Sequence, residues 1–263
     1  MKIAEPLALE GGRTNHVIRR GDEVWKHYNG HGATPLFAND PDAEWCALQA
    51  LNGQAIAPRA IRRDKSDGKA VLVYGFVEGA THATRKEELA RLLGRLHALP
   101  IPNGLPKAAM GADVVAMGLA MAELSDDLLR IAPNPPAQEI PPRFCHRDAV
   151  PGNIVQTDSG PILIDWQCPA AGDPVEDIAH ALSPAMHVLY GASVPTGSDI
   201  AAFLAAYPDR GVVARYAVSG RAYHWRMACY CFWQITRGNS AYDRPLAAEM
   251  RWLADNAKNE TIN

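Results

Sequence analysis

The polarity of the chain changes its period near residue 80. Before that point apolar and polar positions alternate in short runs. Residues 7–28 read as three strands, the first closing at Gly11-Gly12-Arg13-Thr14-Asn15, the second over 16–20 and the third over 23–28. Gly21-Asp22 places glycine first in a two-residue loop, which predicts a type II′ hairpin. Residues 57–63 and 70–77 read as two more strands around a turn at 65–68. One helix interrupts them. Asp40 is its N-cap, Pro41 its first residue, Asn52-Gly53 its stop, and Trp45, Leu48 and Leu51 its buried stripe.

From Thr84 onward the spacing is helical. Thr84 and Glu87 predict a capping box, followed by Leu89, Leu92, Leu93 and Leu96 at helical spacing and a stop at Pro100. Further helices are predicted over 113–130, 175–185, 198–207, 212–236 and 244–257, with a proline-rich loop over 133–142. Strands first and helices afterwards give an α+β class: a small antiparallel sheet lobe with one helix, residues 1–79, on a larger, mostly helical lobe, residues 80–263.

One stretch within the helical half does not fit the helical period. Residues 144–180 hold His146, Asp148 and Asn153 in a loop, then a short strand, a turn at Asp158-Ser159-Gly160, and a second strand ending at Asp165. Asp and Asn are common turn formers singly. Together, two carboxylates and a carboxamide at strand ends supply hard oxygen ligands for a divalent cation and a base for a hydroxyl nucleophile, both of which a kinase needs. A zinc hydrolase reading of His146 and Asp148 lacks a third suitably spaced ligand. In the predicted third strand Val24, Lys26 and Tyr28 share a face, which places a lysine among largely apolar neighbours. Glu44 lies one residue from the helix stripe, either turned toward the sheet to pair with Lys26 or simply a favourable first-turn acid.

Composition narrows the partners. The 263 residues carry a net charge of −3, with 48% hydrophobic and 21% charged residues, which is ordinary for a globular protein and gives no reason to expect nucleic acid or an anionic membrane as partner. No apolar run approaches spanning length, and the first residues lack an apolar signal region. Five cysteines without a C-x-x-C pair point away from a zinc site or disulfide framework and toward a reducing cytosol.

The H-x-D-x-x-x-x-N segment followed by a strand-borne Asp resembles the catalytic loop and metal-binding segment of the aminoglycoside phosphotransferase/choline kinase family, small-molecule kinases with a protein-kinase-like two-lobe fold. The likeness covers most of residues 7–182. It implies that Asp148 accepts or orients the proton of the substrate hydroxyl, that Asn153 and Asp165 hold Mg²⁺ against the ATP phosphates, and that Lys26, steadied by Glu44, pairs with the α- and β-phosphates. It also implies a nucleotide loop at Gly11, Gly12, Thr14 and Asn15, and a hinge near 74–79 where the backbone of Phe76 and Val77 meets adenine. His146 and Asp177 are implied to support the catalytic loop, with Asp173 either beside them or an N-cap before Pro174. His97 is implied to be structural.

The resemblance also bounds the substrate. Asp165 is followed by Trp166-Gln167 rather than Phe-Gly, and only eleven residues separate Asp165 from Asp177, too few for a long segment that seats a peptide. The partners are therefore ATP and a small-molecule hydroxyl acceptor. GGRTN, Cys145-His146 and IDWQ before GDPVEDIA resemble the choline/thiamine kinase branch, which usually has Glu at the position of Gln167. Trp166, with Tyr223, Trp225, Tyr230 and Trp233 from the helix over 212–236, would suit a cage for an ammonium or thiazolium, or else would be the core of a long buried helix. The acids after residue 198 are scattered, so a polycationic aminoglycoside is the alternative acceptor, and a silent nucleotide-binding module the alternative class.

Overall fold

The computed structural model describes residues 7–9, 14–81, 84–134 and 140–260; Gly11 and Gly12 lie outside them. Strands β1 (Leu7–Ala8), β2 (His16–Arg20), β3 (Glu23–His27), β4 (Ala60–Ser66) and β5 (Lys69–Gly75) form one antiparallel sheet in the order β1-β2-β3-β5-β4. Arg20 pairs with Glu23, and of the two loop residues only Gly21 has positive φ (+61°), as a type II′ turn requires. The β4–β5 loop is shorter than the sequence reading. Asp67 and Gly68, both at positive φ, make the whole turn, and Ser66 pairs with Lys69. An Asp-Gly pair favours the type I′ conformation, so the polar residues flanking it continue the strands.

Helix α1 (Pro41–Ala50) packs on this sheet. The Asp40 carboxylate accepts from the amides of Asp42 and Ala43 at 2.9 and 3.0 Å, and Pro41 occupies the first turn. Its buried face is rotated from the expected stripe: Ala43, Glu44, Ala47 and Leu48 turn inward and Trp45 is only half-buried. The inward turn of Glu44 is stabilised by polar partners on β3, described below.

The larger lobe contains α2 (Lys86–His97), α3 (Ala112–Ala122), α4 (Asp126–Arg130), α5 (Pro174–Leu182), α6 (Pro184–Leu189), α7 (Gly197–Ala206), α8 (Arg210–Ile235) and α9 (Asp243–Glu260). The expected capping box at Thr84 does not form. Arg85 is the N-cap of α2 without a side-chain bond, and the Thr84 hydroxyl has no partner. Two predicted helices are each broken by an internal serine cap. Ser125 accepts from Leu128 N at 3.4 Å to start α4, and Ser183 accepts from Met186 N at 3.3 Å ahead of Pro184 to start α6. Among the described residues no helix is long and apolar enough to cross a membrane, and all five cysteines are free thiols.

Helix α8 is the spine of this lobe and is buried through residues 222–231. It touches α3 where Trp225 lies against Gly118; a Cβ at Gly118 would come within 2.2 Å of the indole. Gly118→Ala is therefore expected to destabilise by about 1–3 kcal/mol, since the fully buried ring has nowhere to move. Urea unfolding checks it; an unchanged or raised midpoint, as helix propensity alone would give, contradicts the packing.

Short strand pairs carry the stretch over 144–180. β7 (Arg143–Cys145) pairs with β10 (Ala170–Gly172), and β8 (Ile154–Thr157) forms a hairpin with β9 (Gly160–Leu163), with β6 (Ala80–Thr81) on its other edge. Residues 146–153 and 164–169 thus leave the ends of these strands side by side, on the face toward α1 and β3.

Candidate active site

Two-residue periodicity on β3 turns Val24 and Lys26 inward, Tyr28 just past its end follows them, and Lys26 is 2% exposed. Its Nζ lies 2.6 Å from Glu44 Oε2 and also contacts the Asp165 carboxylate. Tyr28 donates its hydroxyl to the same Glu44 oxygen. Burial pulls the lysine pKa down, but Asp165 and Glu44 outweigh it and hold the ammonium charged well above the usual lysine range. Glu44, buried on α1, therefore stands as the partner of Lys26 rather than as a first-turn acid alone.

The loop after β7 is fixed from beneath by Asp177 on α5. Its carboxylate accepts the amides of His146 and Arg147 at 2.8 and 2.6 Å, and His97 Nε2 donates to it at 2.9 Å. These bonds hold Arg147 in the left-handed region (φ +67°). His146 accepts from Asp148 N through Nδ1 at 3.1 Å and donates from Nε2 to the Ile164 carbonyl at 3.1 Å. Both backbone partners have fixed roles, so the ring is the neutral Nε2–H tautomer. Burial, which lowers its pKa, agrees with that. Asp173 caps α5 by accepting from Val175 N at 3.0 Å and pairs with Arg215 at 2.7 Å.

Asp148 is held by Asn153, whose Nδ2 donates to its Oδ2 at 2.8 Å and to its backbone carbonyl at 3.0 Å. The Asn153 main-chain carbonyl accepts from Ile164 N at 2.9 Å, which leaves Oδ1 as the remaining acceptor of the Asn153 side chain. Burial, reinforced by the charge of Asp165 and moderated by the Asn153 bond, raises the Asp148 pKa to about 8. Asp165 follows β9 and adopts φ +60°, a left-handed position rare for a side chain and a mark of local strain.

Asp148 and Asp165 open onto a cavity of about 660 Å³, which Thr14, Gln167, Phe37, Tyr190, Tyr230 and Tyr242 also line. Asn15 lies behind it in an amide network with Asn39, Asn29 and Gln167. A smaller cavity of about 410 Å³ between the α4 end and α8 lies among Arg130, Asn134 and Arg221, away from these groups.

Several expected site residues stand elsewhere. Trp166 is buried edge-on against His146 with its indole N–H on the Leu163 carbonyl, and Tyr223 and Trp225 are buried in the core, Trp225 donating to the Leu128 carbonyl. None of the three lines the cavity. α8 is covered on several sides, so ring spacing along it did not distinguish core from pocket. Tyr230 does line it, and Trp233 stacks on Tyr230 at 6.1 Å under the Arg237 guanidinium rather than facing the space. The Phe76 amide is already given to the Asp22 carbonyl at 2.8 Å, and Arg19 covers its ring, so that N–H is not open to adenine; Val77 beside it is half-buried.

The sequence reading also missed groups. Glu176 joins Arg147 (3.2 Å) and Arg226 (2.5 Å) in the core beneath the loop, and His180 meets the Arg147 carbonyl at 2.7 Å. Glu176 and His180 stand in the same GDPVEDIAH run, but their distant partner Arg226 carries no local signal.

Over residues 7–216 the chain matches the family model described as the phosphotransferase enzyme family. No curated protein matches it significantly. Among solved structures, the GDP complex of wild-type aminoglycoside 2'-phosphotransferase-IIIa is similar with a TM-score of 0.67 at 16% identity, covering 97% of this chain and 94% of that one. A choline/ethanolamine kinase family protein from Mesorhizobium loti gives 0.64 at 16% identity over 94% and 87% of the two chains. The choline kinase from Cryptosporidium parvum Iowa II gives 0.63 at 15% over 96% and 90%. At these identities the structures speak for the fold, a small sheet lobe on a larger helical one as expected, and not for a substrate.

Proposed function

We propose that this chain, which belongs to the phosphotransferase enzyme family, moves the γ-phosphate of ATP to the hydroxyl of a small amino alcohol carrying at most one positive charge, in a reducing cytosol. That it is a small-molecule phosphotransferase follows from the family. The finer reading rests on one observation: Asp148, held by Asn153, and Asp165, in contact with the Lys26–Glu44 pair, open onto a single cavity.

The donor set suits a hard cation. The Asn153 side-chain Oδ1 and the Asp165 carboxylate are oxygen ligands of the kind Mg²⁺ takes, and among the described residues that line the cavity the nitrogen or sulfur ligands are the exposed His31 and the Met186 thioether, a soft donor that such an ion does not favour. When bound, the ion neutralises charge on the phosphates. Lys26 would leave its contact with Asp165 for the α- and β-phosphates while Glu44 keeps it in place. Asp148 would orient the acceptor hydroxyl and take its proton, a task suited to a carboxylate whose pKa lies near neutrality. Asp177 and His146 would keep the Asp148 backbone in register. Thr14 would lie beside the phosphates, and the backbone of Val77 would meet adenine.

The amino-alcohol assignment now rests on a different set of rings. Phe37, Tyr190, Tyr230 and Tyr242 wall the cavity, with Phe37 and Tyr242 each edge-on to Tyr230. Such walls attract one cationic head by cation–π interaction. Among the described residues the lining includes no carboxylate apart from Asp148 and Asp165, which is poor provision for the several charges of an aminoglycoside. The test is acceptor-dependent ADP release with Mg·ATP across choline, ethanolamine, thiamine, homoserine, sugars and several aminoglycosides. Release with singly charged amino alcohols is expected. Release with aminoglycosides alone would replace this substrate class, and none with any acceptor despite ATP binding would favour a silent module.

A further inference from the structure

We propose that Gln167 selects the acceptor by offering it a hydrogen-bond donor, so that the molecule phosphorylated carries a second oxygen, such as a neighbouring hydroxyl, beside the hydroxyl that reacts. The proposal rests on the reading of the cavity as an acceptor site and names a feature of what enters it.

The polarity of the Gln167 amide is fixed by two backbone groups that have no choice of role. The Asn29 N–H, a donor, lies 3.2 Å from one side-chain atom of Asn15, which must be Oδ1. The Asn29 carbonyl, an acceptor, lies 3.2 Å from one side-chain atom of Asn39, which must be Nδ2. Asn15 and Asn39 then face each other with donor against acceptor in both directions, at 2.7 and 3.1 Å. Asn15 Nδ2 is thereby the atom that reaches Gln167, at 3.2 Å, and a donor there demands Oε1. Gln167 Nε2 is left on the other edge.

That nitrogen donates to no atom of the described residues, although the side chain is 94% buried by exposure of only 6%. It is not among the fully enclosed unpartnered atoms, and the residue lines the cavity two positions after Asp165. Its open edge is therefore the cavity. The Gln167 main-chain carbonyl accepts the Asp40 amide at 3.0 Å at the start of α1, which fixes the backbone, and the Asn15 bond to Oε1 holds the side chain. A held N–H₂ favours an oxygen lone pair and leaves an ammonium without a counterpart. An acceptor lacking the oxygen would desolvate the donor without pairing it.

Matched acceptors isolate the effect: (3-hydroxypropyl)trimethylammonium against (2,3-dihydroxypropyl)trimethylammonium, and 3-amino-1-propanol against 3-amino-1,2-propanediol. Each is measured by calorimetric binding in Mg·ADP and by ADP release with Mg·ATP. Wild type is expected to prefer the diol of each pair by about 10- to 100-fold in acceptor Kd and KM, the ratio for one buried donor paired or unpaired, with the KM for ATP unmoved. Gln167→Ala should level the pair. Gln167→Glu, which keeps an acceptor for Asn15 and so the fold, should shift preference toward the mono-alcohol cations. Equal binding within both pairs by wild type, or a diol preference that survives in Gln167→Ala, overturns the proposal. A Gln167-dependent preference in binding without any ADP release would keep this inference and sink the kinase chemistry; ADP release with indifferent pairs would do the reverse.

Discussion

Asp148→Asn is expected to lower kcat by about 10²–10⁴-fold while the Kd for Mg·ATP stays within about threefold, the range typical of removing one positioned base. The ion pairs of Lys26 are with Glu44 and Asp165 rather than Asp148, and Asn153 holds Asp148 through both its side chain and its backbone. Neutralising it should leave the loop in place, since the backbone bond persists and the new amide retains an oxygen for Asn153. Asp165→Asn is expected to behave differently. Asp165 is the second partner of the Lys26 ammonium and one of the proposed cation ligands. Its loss should weaken Mg·ATP binding by tenfold or more as well as remove turnover, because charge neutralisation at the phosphates is the larger share of phosphoryl-transfer catalysis. Nucleotide titration and single-turnover transfer on the same preparations separate the two. If Asp148→Asn binds nucleotide as badly as Asp165→Asn, or transfers phosphate at the wild-type rate, the division of roles is wrong.

The family resemblance implies that division of roles; what spacing itself carries is the grouping of these residues, because they are bound to local geometry. His146, Asp148 and Asn153 fall within one loop, and Asp165 follows the hairpin that returns the chain beside it, so spacing alone places them together. The inward turn of Lys26 was legible for the same reason: a strand has two faces, and its neighbours Val24 and Tyr28 mark the buried one. The order of sheet lobe and helical lobe followed from the change of period near residue 80.

What could not be read was set by partners far apart in the chain. Whether Glu44 belonged to its helix terminus or to Lys26 depends on β3, eighteen residues earlier. In α8 Trp225 met Gly118 and Tyr230 met Phe37, and no periodicity separates a ring that fills the core from one that walls a cavity when both sides of the helix are covered. The capping box at Thr84 had the right spacing, yet the helix starts at Lys86 and leaves the hydroxyl unpartnered. The sequence offers the backbone of Phe76 and Val77 to adenine, and nothing local shows that the Asp22 carbonyl already takes the Phe76 N–H. Gln167 could be noted only as an unusual residue. Its polarity became readable once Asn15, Asn29 and Asn39, all from the other lobe, stood around it.

Glu176→Gln is expected to destabilise the fold by about 3–5 kcal/mol, the usual cost of removing one partner from a buried ion pair. Glu176 is wholly buried between the Arg147 and Arg226 guanidiniums, and Arg226 already has two nitrogens, Nε and Nη1, without a hydrogen-bond partner. A neutral amide would leave two cations facing each other in the core. Against a total stability of roughly 5–15 kcal/mol such a loss leaves little in reserve. Burial alone would raise the Glu176 pKa, but the two arginines more than offset it and hold it at about 2. A folded pKa below the ordinary 4.5 means the carboxylate contributes its full stabilisation above that ordinary value and loses it as pH falls toward 2. The gap between wild type and variant in urea unfolding should therefore be widest near neutral pH and narrow progressively below pH 4.5. Pairing the change with Arg226→Met should recover part of the loss, because one of the stranded cations is then gone. A gap smaller than about 1 kcal/mol, or one that widens in acid, would mean that water reaches this cluster and screens it, since exposed pairs contribute only that much.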